Sequence, residues 1–153
     1  NAEVFEYWRN LRDNELKTAG SWEDAYFSDF TRYGGSRPIV LSYASSPAAE
    51  VTDGVAGSAA LLDECFRQVE YATTLRGAAN PAGAAALIEF LLSEAFQSSV
   101  PEAMYVYPAV EGTEVPEAWA KFALPARSTL GDATELAQNR ERWLKDWSDV
   151  FDN

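Results

Sequence analysis

The chain of 153 residues contains no histidine and one cysteine, Cys65. The commonest general base and the commonest metal ligand are thus missing, and Ser–His–Asp chemistry is excluded. Cys65 has no basic partner and sits in an alternating apolar pattern, so it is expected to be a buried, inert thiol. Acidic pairs abound without distinctive spacing, and neither zinc-ligand spacing nor a phosphate-cradling glycine-rich loop occurs. No catalytic residue, metal ligand or cofactor is assigned. The chemistry that remains is aromatic, and the main candidates are Trp22, Tyr43 and Tyr105. A flat cationic heterocycle stacks on such rings and is drawn to their faces. Each contact is worth about 0.5–1 kcal/mol when exposed and roughly 2 kcal/mol or more when desolvated. Tyrosine adds a hydroxyl that can orient the guest.

Each ring needs an element to hold it. Ile39-Val40-Leu41 is a short apolar run and reads as a buried strand over 38–43. Tyr43 would lie at its carboxyl edge, where ligands sit in open α/β sheets. Ser45-Ser46-Pro47 reads as an N-cap with a first-turn proline, opening a short helix to about Val51. The hydroxyls of Ser42, Ser45 and Ser46 either cap that helix or donate to a ligand. Trp22 shares one side of a helix with Tyr26, Phe30 and Tyr33, ended by Gly34-Gly35. Spacing alone favours a core position for Trp22. Ser21 with Asp24 resembles a capping box. Tyr105-Val106-Tyr107-Pro108 reads as a short extended segment.

Around these lie the scaffolding segments. Val4, Phe5, Trp8 and Leu11 mark an amphipathic helix near 3–13. Residues 52–60 are rich in Gly, Ala and Ser and read as a loop. From Cys65 to Leu75 the pattern alternates with the period of a strand. Asn80-Pro81 opens the clearest amphipathic helix, with Ala84, Leu87, Ile88, Leu91, Leu92, Ala95 and Phe96 on one face, broken by Val100-Pro101. A brief helix is expected from Pro116 to Phe122. Asp132 and Glu135 signal the start of a terminal helix that buries Leu136, Trp143, Trp147 and Val150. Glu141 is spaced to pair with Lys145 on its exposed side.

A chain of this length can bury about 68–70% of its unfolded surface. With 47% hydrophobic and 13% aromatic residues, it is expected to fold rather than remain disordered. The formal net charge of -12 argues against a nucleic-acid partner, which needs a basic surface. No run approaches the length of a membrane span.

Gly20-Ser21-Trp22-Glu23-Asp24-Ala25-Tyr26, followed by Ile39-Val40-Leu41-Ser42-Tyr43-Ala44-Ser45-Ser46-Pro47-Ala48, resembles the thiamine-binding proteins of bacterial ABC importers. The resemblance continues through Met104-Tyr105-Val106-Tyr107-Pro108 to the C-terminal helix. It covers nearly the whole chain, but only the second half of such a protein. It implies an α/β architecture: the C-terminal portion of a type II periplasmic-binding-protein-like two-lobed fold. Residues of about 1–64 would belong to the second lobe, about 65–75 to a hinge-crossing strand, and about 76–153 to helices packing on the first lobe. The start at Asn1-Ala2 is expected to be artificial.

The resemblance also implies that Trp22 faces the ligand. Tyr105 stands where the family has the Trp of Trp-Met-Tyr-Pro. Ala49 stands where some members carry a second aromatic, which makes one wall of the pocket smaller. Acidic and aromatic partners would come from the first lobe. The implied function is an extracytoplasmic, non-enzymatic solute-binding protein, periplasmic or lipid-anchored. It captures thiamine or a related cationic heterocycle and delivers it to an ABC permease in the membrane. Two other readings stand beside it. One is a ferric-ion-binding protein of the same fold recruiting Tyr43, Tyr105 and Tyr107. The other is a helical interaction module whose surface tryptophans bind a protein. If the apolar stripes of 81–98 and 132–151 cover first-lobe elements in the whole protein, the isolated chain is expected to hide them by dimerising or rearranging.

Overall fold

The structure is a computed structural model that describes Ala2–Phe151. The chain is mixed helical with little sheet. In order come α1 (Ala2–Asp13), a π-helical turn (Asp24–Asp29), a 3-10 turn (Thr31–Tyr33), α2 (Ser46–Ala49) and β1 (Cys65–Phe66). They are followed by α3 (Pro81–Leu91), α4 (Glu94–Gln97), α5 (Val100–Met104), α6 (Glu117–Phe122), β2 (Ser128–Thr129) and α7 (Ala133–Phe151). The chain divides into two compact units. One holds residues 1–41 and 130–153, the other residues 42–129.

In the first unit α1 packs on α7. Val150 is buried, and Leu136, Trp143 and Trp147 are half-buried, as their helical spacing predicts. The Arg12 guanidinium donates to the Val150 carbonyl at 3.3 Å, so a basic side chain satisfies an orphan carbonyl at the end of α7. The Asp132 carboxylate accepts from the Glu135 N–H at 2.8 Å and caps α7. Lys145 pairs with Asp149 one turn on, rather than with the expected Glu141.

The helix expected over 22–33 is interrupted. Ser21 Oγ accepts from the Asp24 N–H at 3.1 Å, as the capping signal requires. The helix then widens to a π-turn, and Phe30 is extended and bridged to Arg37 before the 3-10 turn. Tyr26 is the buried hub of this region. Its ring lies 5.1 Å from Trp22, 5.5 Å from Phe30 and 5.6 Å from Tyr33. Gly34 ends the segment at φ +90°, and a Cβ on Gly35 would meet the Asp29 backbone at 2.2 Å. Those two glycines are therefore a stop for steric reasons.

The second unit has a small core of Ala48, Trp119 and Ala123, flanked by Val115 and Ala118, where α2 meets α6. The Asn80 side chain caps α3 by accepting from the Gly83 N–H at 2.9 Å. α3 is shorter than its apolar pattern suggested. Ser93 Oγ accepts from the Phe96 N–H at 3.3 Å and starts α4 as a separate turn. Of the expected stripe, Ala84, Ile88 and Leu91 are half-buried, while Leu87 and Leu92 are exposed. Val100-Pro101 begins α5 instead of breaking a helix. Proline in a first turn forfeits no helical hydrogen bond, and Pro101 is fully buried there.

Both expected strands are corrected. Residues 38–43 form no strand, and Ile39 and Leu41 are 78% and 92% exposed. The strand expected over 65–75 is confined to Cys65–Phe66, parallel to Ser128–Thr129. Val69, Tyr71 and Leu75 beyond it are exposed. A strand exists through its neighbours. The Arg67 N–H still donates to the Thr129 carbonyl at 2.7 Å, but among the described residues no second strand runs beside 38–43 or 68–75 to exchange ladder hydrogen bonds.

Candidate ligand-binding site

α5 places Tyr105. The helix ends there, and Tyr105 takes the left-handed conformation, φ 57° and ψ 28°, usually occupied by glycine. For a bulky residue this is a strained position, held only where its surroundings fix it. Two hydrogen bonds do so. The Tyr105 N–H donates to the Pro101 carbonyl at 3.1 Å, closing α5. The Ser45 hydroxyl donates to the Tyr105 carbonyl at 2.8 Å. Ser45 is 2% exposed, so this second bond is sheltered, whereas Tyr105 itself is 59% exposed. The backbone is pinned and the ring is offered to solvent.

The serine set thus differs from plain capping. Ser45 precedes α2 but makes no side-chain cap bond. Its hydroxyl is committed across 60 residues of sequence to Tyr105. Ser42 and Ser46 pair through their hydroxyl oxygens at 2.8 Å. The segments carrying Tyr43 and Tyr105 are therefore stitched together within the second unit. Tyr43 is exposed, as a residue on a cleft edge would be, although the strand meant to carry it is absent.

Trp22 belongs to the first unit. Its half-buried ring stacks on Tyr26, with planes 20° apart, and meets Phe27 edge-on at 5.5 Å.

A hollow of about 280 Å³ opens beside Tyr105. Its walls include Ala49, Pro101, Glu102, Tyr105, Pro116 and Trp119. Trp119 is 3% exposed and forms the rigid floor, held edge-on by Tyr107 with ring centres 5.1 Å apart. The Tyr107 hydroxyl donates to the Ala123 carbonyl. Burial pushes the Tyr107 phenol up to about 12, and the neighbouring Cys65 adds to that rise. This tyrosine is consequently structural. Although the residue as a whole is 37% exposed, its hydroxyl is already bonded to the Ala123 carbonyl. Cys65 itself is half-buried rather than buried, and its thiol points to the Leu61 carbonyl at 3.9 Å. Among the described residues no group of three or more His, Cys, Asp or Glu is placed to hold a metal ion.

Sequence reasoning missed Glu102 and Trp119 as parts of this hollow. Glu102 reads as an ordinary first-turn carboxylate and Trp119 as an ordinary core residue. The one signal pointing to Glu102 is its spacing of three from Tyr105, about one helical turn. A second hollow of about 390 Å³ lies between the 54–60 loop and α6. Its charged group is Lys121, whose ammonium approaches the Gly54 carbonyl at 3.5 Å and the Phe122 ring at 4.7 Å. A lysine on the wall makes that hollow the poorer host for a cation.

These features, an exposed ring beside a carboxylate over a tryptophan floor, suit the holding of a flat guest. Comparison with known proteins agrees in class. The chain is similar to periplasmic proteins that bind a small molecule. The thiamine-binding periplasmic protein of Brucella abortus is 32% identical over 146 residues, that of Escherichia coli 29% over 144, and that of Salmonella typhimurium 28% over 144. Each alignment takes in 92% of this chain and 42% of the relative, so the chain spans less than half the length of the relatives it matches. The resemblance read from the Trp22, Tyr43 and Tyr105 segments is thereby borne out. No protein-family model matches the chain, and no solved structure matches it. The relatives' names place them in the periplasm and describe binding. No helix among the described residues is long and apolar enough to cross a membrane.

Proposed function

We propose that this chain is part of an extracytoplasmic solute-binding component of an ABC importer. It captures thiamine, or a closely related cationic heterocycle, and hands it to a membrane permease without any catalytic step. The observation that carries this reading is the likeness to thiamine-binding periplasmic proteins over 92% of the chain. The chemistry of the Tyr105 hollow supports it: a pinned, exposed ring, a tryptophan floor and a carboxylate suit a flat positive guest. Trp22, Tyr43 and Tyr105 are the rings proposed to contact the ligand. The proposed architecture is the C-terminal portion of a two-lobed type II binding-protein fold. In it, segments without a partner strand in this chain, 38–43 and 68–75, pair with the rest of the protein, and the lobes close by hinge motion.

Tryptophan fluorescence tests the reading. Thiamine is expected to quench the emission of the complete polypeptide saturably, and Trp22→Ala is expected to remove most of that response. A visible tyrosinate–iron band with ferric ion and no response to thiamine would replace this reading with metal capture. A size that grows with concentration, with no small-molecule response, would replace it with a protein-interaction module.

A further inference from the structure

We infer that Glu102 selects for positive charge in the Tyr105 hollow, an inference that rests on the binding function proposed above. Glu102 and Tyr105 share the same hollow, one turn apart at the end of α5, and Glu102 is the one charged residue on its wall. The remaining walls are apolar: Ala48, Ala49, Pro101, Pro116 and Trp119. In such a setting a single carboxylate fixes the sign of the guest, because no lysine or arginine of the wall offsets it. Among the described residues no side chain forms a hydrogen bond or ion pair with the Glu102 carboxylate. The other hollow of the same unit carries Lys121 in the equivalent role, so the two cavities have opposite preferences. The Tyr105 backbone is locked by Ser45 and Pro101, which fixes the point on the wall from which the ring departs before any ligand arrives. Ala49 is a small residue of this lining, and a hollow of about 280 Å³ has room for a two-ring guest rather than only a simple ammonium ion.

The chemical class follows. The ligand has a delocalised positive charge on a flat ring, which lies against Tyr105 and faces Glu102. A neutral isostere of the same shape would keep the stacking and lose the charge term.

Calorimetry of the complete polypeptide with two probes separates these contributions. The probes are thiamine and its neutral thiophene analogue, 3-deazathiamine. Glu102→Gln keeps the shape and removes the charge. Because Glu102 is exposed, the expected loss in thiamine affinity is about three- to tenfold, with the salt dependence flattened. Affinity for the neutral analogue is expected to stay within about twofold, and Glu102→Asp is expected to recover part of the thiamine affinity. Wild-type binding of thiamine that is unchanged in Glu102→Gln would overturn the role of Glu102 and leave the binding function standing. Equal losses for both probes would also overturn it, since a merely structural residue behaves that way. Wild-type protein that binds neither probe would overturn both the inference and the function beneath it.

Discussion

Replacing Ser45 by alanine is the sharpest structural perturbation available, because two explanations of this serine predict different results. Were Ser45 a helix cap, its loss would shorten α2 and leave Tyr105 alone. The structure assigns its hydroxyl elsewhere: α2 receives no side-chain cap bond, and the hydroxyl donates to the Tyr105 carbonyl at 2.8 Å. A neutral hydrogen bond of this kind contributes about 1 kcal/mol net, and a carbonyl left unsatisfied costs up to roughly 3 kcal/mol. Tyr105 is 59% exposed, so water can reach its backbone, and the loss belongs near the lower figure. Freed of the bond, Tyr105 can leave the left-handed conformation, which costs about 1–2 kcal/mol to hold. That relaxation returns part of the lost stability, but it displaces the ring. Ser45→Ala is therefore expected to cost about 1 kcal/mol in urea unfolding with an unchanged m-value. The same variant is expected to weaken thiamine binding by more than its stability loss explains. Unchanged stability together with unchanged affinity would refute the pinning of Tyr105. A loss well above 3 kcal/mol would show that Ser45 acts through packing instead.

Other expectations follow from the same geometry. Trp119→Ala removes the largest side chain of the second unit's core and is expected to cost about 3–5 kcal/mol, read from thermal or urea unfolding. Asn80→Ala removes the α3 cap and is expected to cost about 1 kcal/mol, with a matching fall in helical circular dichroism, while Asn80→Gly costs only a few tenths. Tyr107 makes stability pH-dependent at the alkaline end. Its folded-state value is raised from 10.0 to about 12, so the stabilisation it confers is complete below pH 10 and is lost as pH rises toward 12. Ultraviolet titration of the phenols is expected to show a late-ionising tyrosine that disappears in Tyr107→Phe.

Local signals in this sequence read true where the physics is local. Asn80, Ser21 and Asp132 each make the capping bond that their spacing announces. Gly34 and Gly35 stop the chain where a side chain would be strained or would clash. The first and last helices turn most of their predicted stripes inward: Phe5, Trp8, Leu11, Leu136, Trp143 and Trp147 are half-buried and Val150 is buried, while Val4 is exposed. The strands were misjudged because apolar alternation says only that a segment suits a sheet. Whether it forms one depends on neighbours far along the chain, and residues 38–43 and 68–75 have no partner strand among those described. Helix ends also depended on competition invisible in a pattern, such as Ser93 capping a new turn in the middle of an apolar run.

Of the candidate rings, Tyr43 and Tyr105 are exposed, and the structure joins their segments through Ser45, while the hollow itself takes in Tyr105 alone of the three. Nothing in the residue types announced that a tyrosine would occupy a glycine conformation. Only the Ser45 bond and the end of α5 explain it. Glu102 was hidden for the opposite reason: a carboxylate in the first turn of a helix is so ordinary that it carries no signal until the hollow beside it is seen. Self-association of the chain, expected from its apolar stripes, finds no support in the likeness to the thiamine-binding relatives.

The most direct measurement is a calorimetric titration of thiamine into the complete polypeptide and into its Tyr105→Ala variant. The account predicts saturable one-to-one binding that weakens at least about tenfold when the ring is removed, the loss expected of a desolvated cation–π contact. Absence of binding, or binding indifferent to Tyr105, would contradict it.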